Sequence, residues 1–345
     1  MLTIEKFLQK ADSLLIGRKL YVVCNIKNRE IVSDNFNKFD IRTEYLSDDE
    51  LEQINVMLNK CLSVERYFYS EFDFINYVIL ENPAIESIIV YNSAQSGTGI
   101  GRKSLMPAFC ASRGIKITGS NTYAASLCRH KYHVMKLLEV HGLSVPKTYL
   151  YDNGWIYDKP ALGKKIIIKP IFESSSIGIN EDNILTMNDE TAEFVKAKQA
   201  EMKQPVIAQQ FINGYEAEVP CIALKSKIFT LPPVGICLSE NELIMGTKIL
   251  DYEKVYFDKY SFYNLNQANL NTSQISKSAE LAVKILGLSG LCRVDFRIDK
   301  NGQFYIIDVS TNPHFINHSS TNFSFKLLSL SSDKIMKAIL GAALL

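Results

Sequence analysis

An α/β protein is predicted, on three observations. In the first third, apolar β-branched runs alternate with runs of helical period. The last third is dominated by strand-like segments. No repeat or low-complexity linker breaks the chain between them. "KLYVVCNI" and "ESIIVYN" read as buried parallel strands, because they are apolar, β-branched and bounded by polar turns. "DDELEQINVMLNKCL" between them has helical periodicity, and "GIKITGS" supplies a further short strand.

From Lys131, "KYHVMKLLEVHG" predicts a helix stopped by Gly142, with Pro146 beyond it. "KKIIIKP" is a strand that runs into the turn "FESSSIGI". "NDETAEFVKAKQAEMKQ" is an amphipathic helix and "PVIAQQFI" the next strand. "EAEVPCIALKSKIFTL" is strand-rich, and "SQISKSAELAVKILGL" is a helix.

Composition limits the function. The 345 residues allow two or three subdomains, and a net charge of +1 gives no electrostatic footprint for nucleic acid. Seven scattered cysteines, with no Cys-x-x-Cys pair, argue for a reducing compartment and against zinc or a disulfide framework. The N-terminus has charged residues at helical spacing instead of an apolar signal core, and no apolar run reaches membrane-span length. A cytoplasmic protein that binds neither membrane nor nucleic acid is expected.

The most informative segment is "GLCRVDFRIDKNGQFYIIDVSTNPHF". Asn301-Gly302 predicts a two-residue type I′ turn with Lys300 facing Gln303. That register sets Asp295 opposite Asp308 and Arg293 opposite Ser310, all on one face. Opposed carboxylates repel unless a cation lies between them, and Mg²⁺ with phosphate oxygens is the natural choice. A solvated polar face balanced by Arg293 is the alternative. Lys169 ends a buried strand before an acid and three serines, a turn suited to phosphate; a lysine reaching solvent is the alternative.

"SGTGIGRKS", residues 96–104, matches neither the P-loop nor the dinucleotide fingerprint, since Arg102 replaces the glycine before Lys103 and the glycines alternate.

In this order the segments resemble the ATP-grasp superfamily, specifically its D-alanine–D-alanine ligase group. The likeness runs from about Ile89 to the C-terminus. "TGSNTYAASLCRHK" resembles the segment that brings a nucleotide lysine, here Lys131. "IIIKPIFESSSIG" is similar to Val-Lys-Pro…Glu-Gly-Ser-Ser-Val-Gly. It implies Lys169, Glu173 and Ser176 at the nucleotide and Ser175 at the catalytic centre. "VIAQQFINGYE" resembles the adenine hinge: Gln209, Gln210, Phe211 and Ile212 at the base and Glu216 at the ribose. "CRVDF…GQFYIIDVSTNPHFINHSS" matches Arg-x-Asp…Glu-x-Asn-Thr-x-Pro-Gly…His-Ser. It implies Asp295, Asp308 and Ser310 as metal ligands, Arg293 as the catalytic cation, and Ser319 at the second substrate's carboxylate. In "ILDYEKVYFDK", Lys254 is the expected phosphate-closing lysine and Lys259 the alternative.

The resemblance implies three domains: an N-terminal Rossmann-like α/β domain (1–118), a small central lid domain (119–212) and a C-terminal catalytic antiparallel-sheet domain (213–345). It implies ATP and Mg²⁺ as cofactors, two amino acids as substrates, an acyl phosphate between them, and a homodimer.

The chain departs from the pattern at several points. Asp308 and Ser310 stand where the family has Glu and Asn, and His314 replaces a glycine. Glu30 is a faint counterpart of the acid that receives the first substrate's amine. The family's Gly-Glu-Asp-Gly loop reads Gly101-Arg102-Lys103-Ser104, which makes it a substrate-side loop whose two cations face either the ligand or solvent. Three readings follow: a ligase of two amino acids, a ligase of the same fold for another acid or amine, or a nucleotide-binding protein that has lost turnover.

Overall fold

The computed structural model describes residues 2–27, 44–96, 100–239 and 241–345. The first layer is a parallel sheet of order β2-β1-β3-β4, built from β1 (Lys19–Val23), β2 (Val64–Phe68), β3 (Ile88–Asn92) and β4 (Lys116–Ile117). Its central strands are buried on both faces and need helices on each side. These are α1 (Ile4–Leu15), α2 (Asp48–Asn59), α3 (Glu71–Glu81) and α4 (Leu105–Arg113). The start of α2 is fixed by a capping box: Ser47 Oγ accepts from Glu50 N at 3.1 Å, and Glu50 Oε2 accepts from Ser47 N at 2.6 Å. β2 was not expected from the sequence, because "VERYF" carries charges that only an edge strand tolerates.

Two helices, α5 (Thr122–Leu127) and α6 (Lys131–Val140), lead into an antiparallel five-stranded sheet of order β6-β5-β9-β7-β8. Its strands are β5 (Thr148–Tyr151), β6 (Trp155–Ile156), β7 (Lys165–Pro170), β8 (Ile184–Thr186) and β9 (Val206–Gln210). Helix α7 (Thr191–Met202) covers it and buries Val195 among Ile166, Ile168 and Val206.

The third sheet has six strands: β10 (Gly214–Ala223), β11 (Ile228–Thr230), β12 (Val234–Cys237), β13 (Ser261–Asn264), β14 (Gly290–Asp299) and β15 (Phe304–Ser310). Its order is β13-β12-β10-β14-β15, with β11 paired to β10. A short helix, α8 (Tyr252–Tyr256), precedes β13, and α9 (Thr272–Ile285) packs its Ile275, Ala279 and Val283 on the sheet.

The chain ends in α10 (Ser320–Leu327) and α11 (Asp333–Leu344), and α11 lies against α1. Gly341 makes this contact possible, since a Cβ there would stand 2.6 Å from that of Ala11. Phe7, Leu231, Leu291, Ile335 and Ile339 therefore share one core, joining the first layer to the third sheet. Each buried aliphatic side chain contributes about 1.5–3 kcal/mol. The second sheet has its own core, so the cleft opens between it and the fused pair. Among the described residues no helix is long and apolar enough to cross a membrane.

Candidate active site

All three sheets contribute to a cleft of about 790 Å³, floored by the β14–β15 hairpin. The expected pairing is present: Asp295 stands opposite Asp308, and Arg293 opposite Ser310. The turn that produces it differs from the expected one. Asp299, not Lys300, pairs with Gln303, and Gly302 takes φ 83° while donating to the Asp299 carbonyl at 2.9 Å. This is a three-residue loop ending in a left-handed residue. The Asp299 carboxylate caps it, accepting from Asn301 N at 2.8 Å and Gln303 N at 3.0 Å. Such a turn would set Ile307 opposite Asp295. A bulge on β15 between Ile306 and Asp308 inserts one residue and restores the carboxylate pair.

The two opposed carboxylates pair with different cations. Arg293 forks onto Asp295, with Nε to Oδ1 at 2.7 Å and Nη2 to Oδ2 at 2.8 Å, and its Nη2 also lies 3.0 Å from Glu218 Oε1. Asp308 Oδ2 is 3.2 Å from Lys131 Nζ. Burial raises the Asp295 carboxyl above its ordinary range against the pull of Arg293, with Asp308 adding to the rise. Burial acts on Asp308 too, but Lys131 and Lys169 outweigh it and hold that carboxyl low. Glu218, on β10 beside Asp295, is pushed up to about 7 by burial, against Arg293. It was missed in the sequence, where "YEAEVP" looks like an ordinary exposed alternation.

The residues expected at the nucleotide line the same cleft, apart from Lys254. Lys169 Nζ donates to Gln209 Oε1 at 2.9 Å, and burial brings it down to about 8. Lys131 Nζ donates to the Glu173 carbonyl at 2.6 Å. Ser175 and Ser176 both hold positive φ, 52° and 54°, a strain that non-glycine residues keep where the surroundings enforce it. Ser176 Oγ is tied to the Leu250 carbonyl at 2.7 Å. In the hinge, Gln210 N donates to Lys147 O and Phe211 N to Lys165 O. Of the backbone N–H groups at Gln210, Phe211 and Ile212, only that of Ile212 is without a partner among the described residues. The Phe211 ring lies between Lys165 and Arg297, whose charged groups are 5.1 and 5.3 Å from its centroid. Glu216 pairs with Arg297 at 3.0 Å. Lys254 departs from expectation: it pairs with Asp251 and, at 3.1 Å, with Glu181, away from the cleft lining. Lys259 pairs with Glu253 at 2.8 Å and is exposed.

On the substrate side, Ser319 lines the cleft and caps α10, accepting from Asn322 N at 3.1 Å. His314 also lines it, 3.8 Å from Glu50, with its imidazole held low by burial. His318 bonds Asp258, tying the segment after α8 to the loop before α10. Glu30 lies outside the described residues, as do 97–99 of the glycine-rich loop.

Arg102 and Lys103 do not point to solvent. Arg102 Nη2 meets Glu44 Oε2 at 2.6 Å with 2% of its side chain exposed, and it does not line the cleft. Lys103 Nζ is 3.3 Å from Glu44 Oε1 and does line it. Arg129 joins them, 3.9 Å from Glu44. Burial would raise the Glu44 carboxyl, but Lys103, Arg129 and Arg102 outweigh it and hold the group far below the carboxylate range. Neither Glu44 nor Arg129 was anticipated; Arg129 stands two residues before Lys131, the only hint the sequence carries.

The model of the family described as "D-ala D-ala ligase C-terminus" matches residues 157–341, more than half of the chain. The D-alanine–D-alanine ligase of Nitrosomonas eutropha is 30% identical over 227 residues, 65% of this chain and 69% of that protein. That of Cupriavidus metallidurans is 28% identical over 250 residues, 71% of this chain and 73% of that protein. Among solved structures, the D-alanine–D-alanine ligase from Bacillus anthracis complexed with ATP has a TM-score of 0.67 at 17% identity, covering 95% of this chain and 97% of that one. The D-Ala:D-Ser ligase VanG from Enterococcus faecalis has a TM-score of 0.65 at 19% identity, covering 95% and 99%. These likenesses carry the fold, which is ATP-grasp, as the motifs implied. The match from 157 to 341 and the 30% identity to the Nitrosomonas eutropha ligase lead to one conclusion: the chain belongs to the D-alanine–D-alanine ligase family.

Proposed function

We propose that this cleft joins two amino acids in an ATP-dependent reaction, the carboxylate of one taking a phosphoryl group and the amine of the other displacing it. The observation that carries this reading is the floor. Arg293, Asp295 and Asp308 share one sheet face, with Lys131 and Lys169 at one end and Ser319 lining the same cleft. Lys131, Lys169 and the Ser175–Ser176 turn would hold the phosphate tail. Glu173, Gln209 to Ile212 and Glu216 would hold the nucleoside. Arg293 would face the oxygens that gain charge as the acyl phosphate forms and is attacked. Ser319 would receive the second substrate's carboxylate, and His314 would border it.

The donors of Asp295, Asp308 and Ser310 are all hard oxygens, and Asp295 and Asp308 stand directly opposite each other on one face. They fit Mg²⁺, which when bound would draw charge from the phosphate oxygens. The same proposal divides the chain at 118 and 212, supported by one sheet in each part, with α11 returning to the first core. It includes a cytoplasmic homodimer; seven free cysteines support the compartment, and exposed Phe72, Ile79 and Leu80 on α3 support a second copy. Light scattering would check the dimer.

A second reading, a ligase of the same kind for a different acid or amine, is favoured by Asp308, Ser310 and the cations beside Glu44. The test is phosphate release at fixed Mg-ATP across pairs of amino acids, with mass spectrometry of the product. Release that needs both amino acids and yields a dipeptide is expected. Nucleotide hydrolysis without a dipeptide, or no release with any pair, would overturn the reading.

A further inference from the structure

Glu44 is one carboxylate shared by three cations: Arg102 at 2.6 Å, Lys103 at 3.3 Å and Arg129 at 3.9 Å. Arg102 lies behind the wall, whereas Lys103 and Arg129 line the cleft. Among the described residues neither has another carboxylate within 4.0 Å. Their second contact is neutral, since each donates to Ser174 Oγ at 3.3 Å. Arg129 Nε is buried without a hydrogen-bond partner among the described residues. Glu173 lies 3.8 Å from Arg102, behind the wall, so two carboxylates face three cations, and the two cations that face the cleft share Glu44 and stay undercompensated where solvent screens weakly. Burial, with Arg129 and Arg102 beside it, brings Lys103 down to about 8 despite Glu44.

We propose that Lys103 and Arg129 form a subsite for an anionic oxygen group, at the N-terminal wall of the cleft and beside the Ser174–Ser176 turn. Two sources share that chemistry: a second carboxylate on the amino acid to be activated, or the phosphoryl group in transfer. The inference rests on the ligase reading and adds a substrate class to it. The competing role is a clamp, in which Glu44 and the cations only fasten the serine turn to the first layer. The two roles differ in sign. Lys103→Gln removes charge from a subsite, while Glu44→Gln releases charge to it. In a clamp both substitutions remove the same bond.

The experiment uses the full chain. Calorimetry with Mg-ATP gives the nucleotide affinity of each variant, and phosphate release gives kcat/KM for aspartate and for alanine, each enantiomer, as first substrate. For a substrate carboxylate, Lys103→Gln lowers the aspartate-to-alanine ratio of kcat/KM at least tenfold and Glu44→Gln raises it. For the phosphoryl group, Lys103→Gln weakens Mg-ATP binding at least tenfold, Glu44→Gln tightens it, and the ratio stays constant. Movement of both variants in the same direction for every ligand, or of neither, overturns the subsite. Lys103→Arg keeps the charge and should retain more of the affected ratio or affinity than Lys103→Gln; if Lys103→Gln fails to fold, the direction of the Glu44→Gln change decides, a rise supporting the subsite and a fall or no change overturning it. If no amino-acid pair turns over, the ligase reading falls, and the calorimetric arm alone decides the subsite.

Discussion

The floor of the cleft and its N-terminal wall are both crowded with charge, yet they are balanced differently. On the floor, Glu218, Asp295 and Asp308 face Arg293, Lys131 and Lys169, and each acid has a cation within 3.2 Å. On the wall, three cations share Glu44, and only Arg102 among them reaches a second carboxylate, Glu173 at 3.8 Å. A paired buried array is costly to desolvate, is held by close hydrogen-bonded geometry, and is damaged when one partner is left without a counter-charge. An unbalanced one stores an attraction for a ligand of the missing sign. The floor is thus built to keep its shape and the wall to receive something, and substitutions in the two places should behave differently.

The largest effect is expected where the balance is tightest. Asp295→Asn removes the charge that Arg293 grips with two hydrogen bonds, and with it one of the two opposed carboxylates. Phosphate release should fall by about 10²–10³-fold, the scale seen when one preorganised electrostatic group is lost. The fold should survive, because Arg293 keeps Glu218 at 3.0 Å. Circular dichroism showing a folded protein, with lowered melting temperature, beside the lost turnover would sustain the comparison. A variant with nearly full activity at limiting Mg²⁺ would end the proposed metal role.

A smaller effect is expected at Lys169. Lys169→Met should raise the Kd for ATP about 10–100-fold, since a charge-assisted contact contributes about 1.5–3 kcal/mol. The pH dependence has a definite sign. The ammonium that would meet phosphate is present below about 8 and is lost above it. ATP affinity should therefore decline as pH rises through about 8, and the variant should lack that decline. In the free protein the sign is opposite: the unfolded chain binds the proton more readily, so stability rises with pH through the same window. Calorimetry and thermal melts from pH 7 to 10 would check both, and a pH-independent ATP affinity in the wild type would remove Lys169 from the phosphate.

The contrast between floor and wall also explains what was legible in the sequence. The floor comes from one hairpin, so strand alternation alone placed Arg293, Asp295, Asp308 and Ser310 on one face. That placement was correct although the turn was not, because the three-residue loop and the bulge at Ile307 displace the register in opposite senses. The wall joins Glu44, Arg102, Lys103, Arg129 and Ser174 from four separate stretches, and no periodicity links them. Lys254 shows the same limit: the resemblance makes it the phosphate-closing lysine, and its pairing with Asp251 and Glu181 joins stretches that no periodicity links. The helices and strands were legible wherever burial imposed a period, and β2 was not, because an edge strand imposes little.

The smallest effect sharpens the comparison by separating the turn from the register. Gly302 holds φ 83°, and a Cβ added there would meet nothing within 4 Å. Gly302→Ala therefore carries only the backbone cost of a left-handed residue, about 1–2 kcal/mol. In a chain of this size that lowers the melting temperature by a few degrees. Asn tolerates the left-handed region better, so Gly302→Asn should recover most of the loss. Turnover should stay within about twofold for both, because the bulge at Ile307 lies between the turn and Asp308 and sets the carboxylate pair. If Gly302→Ala instead lowered kcat in step with stability, the turn itself would be holding Asp295 against Asp308, and the floor would be less self-sufficient than its paired charges suggest.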